Sequence, residues 1–215
     1  MSRRKMMKKT QFHELDRTFN RESLWPGEWK DKLGHQGKLI LELGCGKAEF
    51  SLGSAANHPE NYYIGIDIKA DRLWVAAGQA AEMGLKNVAF LCINLLEIDQ
   101  YFGKGEADEI WITFPDPFPK KKQAKHRMLN PLFLDKYKEV LHAAGALHYK
   151  TDNLQLFQYS LEVFASRPDL AFDTLSFDLH GNESLPAETK VLTTYEKKFM
   201  AMDTKINYVK MHFIG

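Results

Sequence analysis

The sequence predicts an α/β fold on a mostly parallel sheet of about seven strands, and three observations carry that prediction. Short apolar runs alternate with helical segments from residue 38 to residue 166, the pattern of right-handed βαβ crossovers. The first apolar run ends in Gly44-Cys45-Gly46, a turn of the kind that joins a strand to a helix above a ligand. The last two runs, 171–178 and 206–213, have no clear helix between them, which predicts an antiparallel end to the sheet.

In chain order, residues 1–30 read as a basic, partly flexible extension, and residues 31–215 as one domain. Trp25, Pro26, Gly27 and Trp29 mark an anchored turn or short helix, because tryptophans favour burial. Lys38 to Leu43 is the first strand. A helix from Glu49 to Asn57 stops at His58-Pro59. Tyr62 to Asp67 is the second strand, with its acid at the carboxyl end. A helix from Lys69 to Met83 ends at Gly84. Val88 to Ile93 and Glu109 to Phe114 are the third and fourth strands, the latter halted by Pro115. Pro131 suits the first turn of a helix running to Ala143. Ala146 to Lys150 is the fifth strand, and Asp152 or Asn153 can cap the helix that follows it to Ser166. Ala171 to Asp178 and Ile206 to Phe213 complete the sheet, and His180 to Lys190 is a polar surface loop.

The chain has 215 residues, 44% hydrophobic and 27% charged, which is ordinary for a soluble globular protein. A net charge of +1 carries no global nucleic-acid signature, so the distribution of charge decides. Residues 1–10 hold Arg3, Arg4, Lys5, Lys8 and Lys9 with no acid, and residues 115–127 hold Lys120, Lys121, Lys122, Lys125 and Arg127 against Asp116 alone. Two such clusters on a near-neutral chain either form a local phosphate-binding surface or are simply solvated. Cys45 and Cys92 are too few for a disulfide scaffold and lack metal-ligand spacing. No apolar run reaches membrane-spanning length and no signal-peptide core follows the basic start, so a cytoplasmic location is expected, with no membrane partner. No histidine pair has His-x-x-x-His spacing and no serine stands in a nucleophile elbow, so neither metal nor triad chemistry is expected.

Ligands of open α/β sheets sit at the carboxyl ends of the strands, and four candidate groups converge there. Gly44 and Gly46 permit close backbone approach. Asp67 can accept from ribose hydroxyls, Asn94 can meet a base edge, and Asp116 follows the fourth strand. Glu42, charged within an apolar strand, is either a salt-bridge partner or the lining of a cofactor's polar end. With Glu42 before the turn and Asp67 after it, a bound adenosyl group is the favoured reading. Pro115, Pro117 and Pro119 remove backbone donors and hold Asp116 rigidly, which suits a residue placed against substrate. Phe118 either stacks on a base or covers the core. Lys120, Lys121 and Lys122 could position an RNA backbone without reading its sequence. Asp152 is either a helix cap or a base-edge acceptor, and Thr193 to Phe199 could close over a flat substrate or be an ordinary helix.

At these residues the chain resembles the tRNA (guanine-N7-)-methyltransferase family over about Trp29 to Phe213. The resemblance rests on the glycine turn Glu42–Phe50, on Tyr63–Asp67, and on Phe114-Pro-Asp-Pro-Phe-Pro-Lys-Lys121, with Phe118 where the family has tryptophan. It extends through Phe133–Tyr137, Lys150-Thr151-Asp152 and Thr193–Phe199. The resemblance implies a Rossmann-like class I methyltransferase sheet with helices on both faces. It implies S-adenosyl-L-methionine as cofactor, tRNA as partner, and methylation of N7 of a variable-loop guanosine, typically position 46. By similarity Glu42, Gly44, Gly46, Asp67, Asn94 and Asp116 line the cofactor site, with Asp116 catalytic. Lys120, Asp152, Thr193, Thr194, Tyr195 and Glu196 meet the substrate. Arg3, Arg4, Lys121, Lys122, Lys125 and Arg127 are the phosphate-contact candidates, and no metal is implied. Members of the family are monomers or homodimers.

Three departures stand out. Ala48 replaces a glycine, Asn94 replaces an aspartate, and Lys122-Gln-Ala-Lys-His-Arg127 replaces a run richer in forked guanidinium groups. They keep two other readings open: a methyltransferase acting on another RNA or a small molecule, and a noncatalytic RNA-binding homologue.

Overall fold

The computed structural model describes residues 3–214, and among these the side chains of residues 3–5, 9 and 121 are outside the description. Helix α1 (Arg3–Gln11) and the two-residue strand β1 (Thr18–Phe19) precede α2 (Trp29–Leu33), β2 (Leu39–Leu43), α3 (Glu49–Asn57), β3 (Tyr62–Asp67), α4 (Ala70–Glu82) and β4 (Val88–Cys92). There follow α5 (Ile98–Tyr101), β5 (Ala107–Thr113), α6 (Pro131–Val140), β6 (Leu141–Thr151), α7 (Leu154–Ala165), β7 (Leu170–Ser176), α8 (Thr194–Ala201) and β8 (Asn207–Phe213). The strands form one sheet in the order β1-β4-β3-β2-β5-β6-β8-β7, in which β8 pairs antiparallel with both β6 and β7 and the other pairings are parallel. The mostly parallel sheet with an antiparallel end is therefore as the sequence predicts.

Several elements differ from the sequence expectation. The basic start, expected to be irregular, contains α1, which packs against α4 with Lys8 Nζ 4.7 Å from the Trp74 ring centre. The eighth strand, β1, is too short to show a period, yet it pairs with Phe90 and Leu91 at the sheet edge. α8 stands between the last two strands, where no helix was clear.

Alternation along the strands divides the core and sets up the site. Leu39, Leu41, Leu43, Ile110, Ile112, Leu147 and Tyr149 pack with α6 and α7 on one face. Ile40, Tyr63, Trp111 and Tyr208 pack with α3 and α4 on the other. Glu42, Thr113 and Lys150 share the second face by the same alternation, at the carboxyl ends of the neighbouring strands β2, β5 and β6. They form a polar row on an otherwise apolar surface.

Candidate active site

Two cavities join at the carboxyl ends of the strands, sharing Gly44, Arg72, Phe114 and Asp116. One is an apolar slot of about 350 Å³, walled by Ile68, Ile93, Leu95, Phe118, Met128 and Phe133, with Asp67 and Asn94 on its lining. Ile68 is 63% exposed, so an apolar side chain is left open to a ligand face. The other cavity, about 370 Å³, is more polar and includes Glu42, Glu49, Thr113, Thr193, Thr194 and Tyr195.

The glycine turn is built around Asp67. Gly46 N–H donates to Asp67 Oδ2 at 2.9 Å, and Lys69 N–H donates to Oδ1 at 2.8 Å. Each oxygen keeps a second lone pair, so the carboxylate can still accept from a ligand hydroxyl. Gly44 has φ +66°, and a side chain there would come within 2.9 Å of Met128 Sδ. The turn therefore needs glycine for its conformation and for close approach.

Glu42 is held by hydrogen bonds rather than by a salt bridge, one of its two readings. Its Oε2 accepts from Ser51 N at 3.1 Å and Ser51 Oγ at 2.6 Å, and its Oε1 accepts from Thr113 Oγ1 at 2.8 Å. Burial raises its pKa, while those hydrogen bonds and the Lys150 charge oppose the rise. The side chain thus ties the start of α3 to the sheet while lining the polar cavity.

Asp116 is exposed and stands where the two cavities meet. The loop that carries it is strained at two positions: Phe114 has φ +49° and Phe118 φ +42°, and each precedes a proline. Positive φ in a bulky residue is costly, and strain of this kind persists where the surroundings over-determine the backbone. Here Phe114 N–H donates to Lys150 O at 2.9 Å. Arg127 Nε and one terminal nitrogen donate to Phe118 O at 3.3 and 3.1 Å, and the guanidinium lies 4.1 Å from the Tyr159 ring centre. Arg127, expected at a phosphate, has its fork turned onto the chain's own loop. Phe118 lines the slot rather than capping the main core.

Lys120, Lys122 and Lys125 are exposed on the same rim, whereas the side chains of Arg3, Arg4 and Lys121 lie outside the described residues. Asn94 accepts from Leu96 N–H at 3.2 Å through Oδ1 and caps a short turn of 3-10 helix. Asp152 is half-buried, burial raises its pKa, and it lines neither cavity. The α7 cap is Asn153, whose Oδ1 accepts from Leu156 N–H at 2.8 Å.

Thr193, Thr194 and Tyr195 line the polar cavity, and Tyr195 is 62% exposed. Glu196 does not line it. Its carboxylate is fully buried, held by Lys150 and by the Thr193 backbone in a capping box. Sequence reasoning also missed Glu49, Arg72 and Thr113 as lining residues. Lys150 carried a readable signal: it is charged within a strand, as Glu42 is.

Comparison with known proteins identifies the family and the fold. Residues 36–209 match the family whose description is "Putative methyltransferase". The tRNA (guanine-N(7)-)-methyltransferase of Cytophaga hutchinsonii is 37% identical over 222 residues, covering 100% of this chain and 99% of the relative. This chain belongs to the tRNA (guanine-N(7)-)-methyltransferase family. The family's enzyme from Christiangramia forsetii is 38% identical over 186 residues, 86% of this chain and 83% of that one. Among solved structures, the 16S rRNA methyltransferase KamB superposes with a TM-score of 0.64 at 12% identity, covering 89% of this chain and 94% of that chain. The 16S rRNA (adenine(1408)-N(1))-methyltransferase of Catenulisporales acidiphilia superposes with a TM-score of 0.63 at 15% identity, with the same coverage. These two likenesses establish the class I methyltransferase fold.

Proposed function

We propose that this family member transfers a methyl group from S-adenosylmethionine to N7 of a guanosine in the variable loop of tRNA. The observation that carries the reading is Asp116, held by the strained proline loop at the junction of an apolar slot and a polar cavity. The residues present fit the cofactor. The slot offers apolar walls for a purine, Asp67 has lone pairs for ribose hydroxyls, and the glycine turn allows close approach. Asn94 contributes an amide; with Oδ1 taking Leu96 N–H, its Nδ2 is left to donate to a ring nitrogen. Glu42 and Thr113 form the polar end.

S-adenosylmethionine supplies an electrophilic methyl group on a sulfonium. Guanine N7 bears a lone pair and no proton at neutral pH, so no residue of the chain has to act as a strong base. The chain's work is alignment and electrostatics. Asp116 orients the guanine at the junction, and the exposed Tyr195 gives the base a flat surface above Phe114, its ring 6.4 Å from that of Phe114. Lys120, Lys122 and Lys125 meet tRNA phosphates from the rim, and Asp152 contacts the nucleoside from outside the two cavities. On the sequence alone, Arg3 and Arg4 are further phosphate-contact candidates.

The direct experiment is methyl transfer from labelled S-adenosylmethionine to unmodified tRNA carrying guanosine or adenosine at the variable-loop position. Incorporation only with guanosine, mapped to N7, is the expected result. Binding of S-adenosylmethionine without transfer to either tRNA sinks the assignment. Asp116→Asn should lower turnover by about 100-fold, the order found when one aligned polar group is removed from a preorganised site.

A further inference from the structure

The Lys150 side chain has no exposed surface, and its ion-pair partner Glu196 is equally buried; burial lowers the pKa of the Lys150 ammonium, and Glu196 opposes that fall. Lys150 Nζ lies 2.8 Å from Glu196 Oε1 and donates to Val191 O at 3.2 Å. His180 Nε2 reaches the same Oε1 at 3.3 Å. The other oxygen, Oε2, accepts from Thr193 N at 2.9 Å and Thr193 Oγ1 at 3.0 Å. Thr194 N–H is bonded in turn to Glu49 Oε2 at the start of α3.

α8 has eight residues, and Glu196 is the one buried residue among them. A helix that short does not hold itself in water. Phe199 packs its later turn against the core, with its ring 6.2 Å from that of Phe114, but its first turn offers only the exposed Tyr195. A polar clasp therefore fixes its start. For stability alone, an apolar pair of similar volume would serve at least as well, because desolvating two charges offsets their attraction. What an ion pair adds is a defined register.

The same ammonium also touches the other side of the cleft. It lies 5.1 Å from the Phe50 ring centre and 5.9 Å from that of Phe114, whose backbone N–H is bonded to Lys150 O. One side chain thus links the strained loop that presents Asp116 to the segment Thr193–Tyr195. We infer that Lys150 is a positioning residue for the guanine: through Glu196 it fixes the distance between the Asp116 loop and the surface on which the base rests. The inference rests on the proposed reading that Thr193–Tyr195 meets the target nucleoside.

The test uses the full chain with Lys150→Met, Glu196→Gln, and the apolar pair Lys150→Met/Glu196→Met. Five quantities are read: affinity for S-adenosylhomocysteine, melting temperature, kcat and KM with tRNA, and hydrogen exchange of residues 193–201. Lys150→Met should keep cofactor-product affinity within about threefold, speed exchange in α8, and lower kcat/KM for tRNA by about 100-fold, the effect of a misplacement of about 1 Å. The apolar pair should recover the melting temperature but not the turnover. Recovery of both, or normal turnover in Lys150→Met, reduces the ion pair to a folding element and overturns the inference. Should Lys150→Met fail to fold, Glu196→Gln gives the same reading, since its amide oxygen can keep the cap while its NH2 takes away the charge and the acceptor that Lys150 uses; unchanged kcat/KM there overturns it equally. A wild-type chain that methylates no guanosine defeats the functional reading instead. Exchange in α8 still discriminates in that case: unchanged protection in Lys150→Met overturns the clasp, and lost protection supports it.

Discussion

Ala48 shows how opposing small terms let a methyl group stand in a glycine turn. It is fully buried with φ +55°, a left-handed conformation that costs an L-residue about 1–2 kcal/mol. Ala48→Gly would remove that strain, but it would also give up about 0.8 kcal/mol of methyl burial and about 0.5–1 kcal/mol of unfolded-state entropy. The expected result is stability close to wild type in chemical denaturation, within about 0.8 kcal/mol by this sum. Ala48→Val is different. It adds β-branching at positive φ, against a neighbour, Gly65, where a Cβ would already stand 3.2 Å from the Ala48 methyl. A loss of about 2–3 kcal/mol in chemical denaturation is expected, and a neutral Ala48→Val would mean that the turn can relax. At this scale the sequence was legible where a residue contradicts its setting. Glu42 in an apolar strand and Asp116 between prolines both declared themselves, and both line the cleft. Arg127 and Glu196 did not, because only the fold shows that a charge in a basic run or a helical motif is turned inward onto Phe118 or Lys150.

Elements were legible where a local period or cap decides them, and less so where tertiary contacts do. α3 and β3 coincide with their predicted bounds, since a proline, a glycine turn and a terminal acid punctuate them. The α6 helix starts at Pro131 behind the Asn130 cap but stops at Val140, three residues early. Leu141 pairs with Ala107 instead, so β6 starts at once and the sheet overrides helix propensity for those residues. α1 escaped notice because its basic residues hide any apolar period, and lysine stems such as that of Lys8 over Trp74 supply part of its packing. In α8 the cap gives a clean test. Thr193 Oγ1 accepts from Glu196 N–H at 3.2 Å within a reciprocal capping box. Thr193→Ala should cost about 1 kcal/mol of stability and raise KM for tRNA more than it changes cofactor affinity. Tyr195→Ala should leave stability within about 0.5 kcal/mol, because the ring is largely exposed, yet raise the same KM. Equal KM values in wild type and Tyr195→Ala would remove the ring from base recognition.

Over the whole molecule, charges buried on the α3 face of the sheet couple stability to pH, and His148 dominates near neutrality. It is 6% exposed, stacked on Trp111 with ring centres 4.0 Å apart, and its Nδ1 lies 2.9 Å from Tyr208 Oη. Burial pulls its pKa down to about 3; Glu109 opposes this, with Oε2 3.7 Å from Nε2, while Lys210 and Lys38 add to the depression. The folded chain therefore keeps this imidazole neutral, whereas the unfolded chain protonates it near its ordinary value of 6.5. Below that value the unfolded state binds the extra proton, so stability falls as pH falls, by at most about 1.4 kcal/mol per pH unit down to the folded pKa. Glu109, Glu196 and Asp169, all with lowered pKa values, act in the same direction but only below about pH 4.5, their ordinary carboxyl range. Glu42, with its raised pKa, acts oppositely, since the folded state takes up its proton first. Between pH 6.5 and 5 the His148 effect should then prevail. Wild-type stability in urea should drop by about 1–2 kcal/mol across that window, and the drop in His148→Phe should be less than half as large. The comparison is of slopes, so the stability that His148→Phe itself gives up with the Tyr208 hydrogen bond does not enter. Parallel slopes would mean that His148 is protonated as readily in the folded chain as in the unfolded one, with Glu109 close enough to carry its charge.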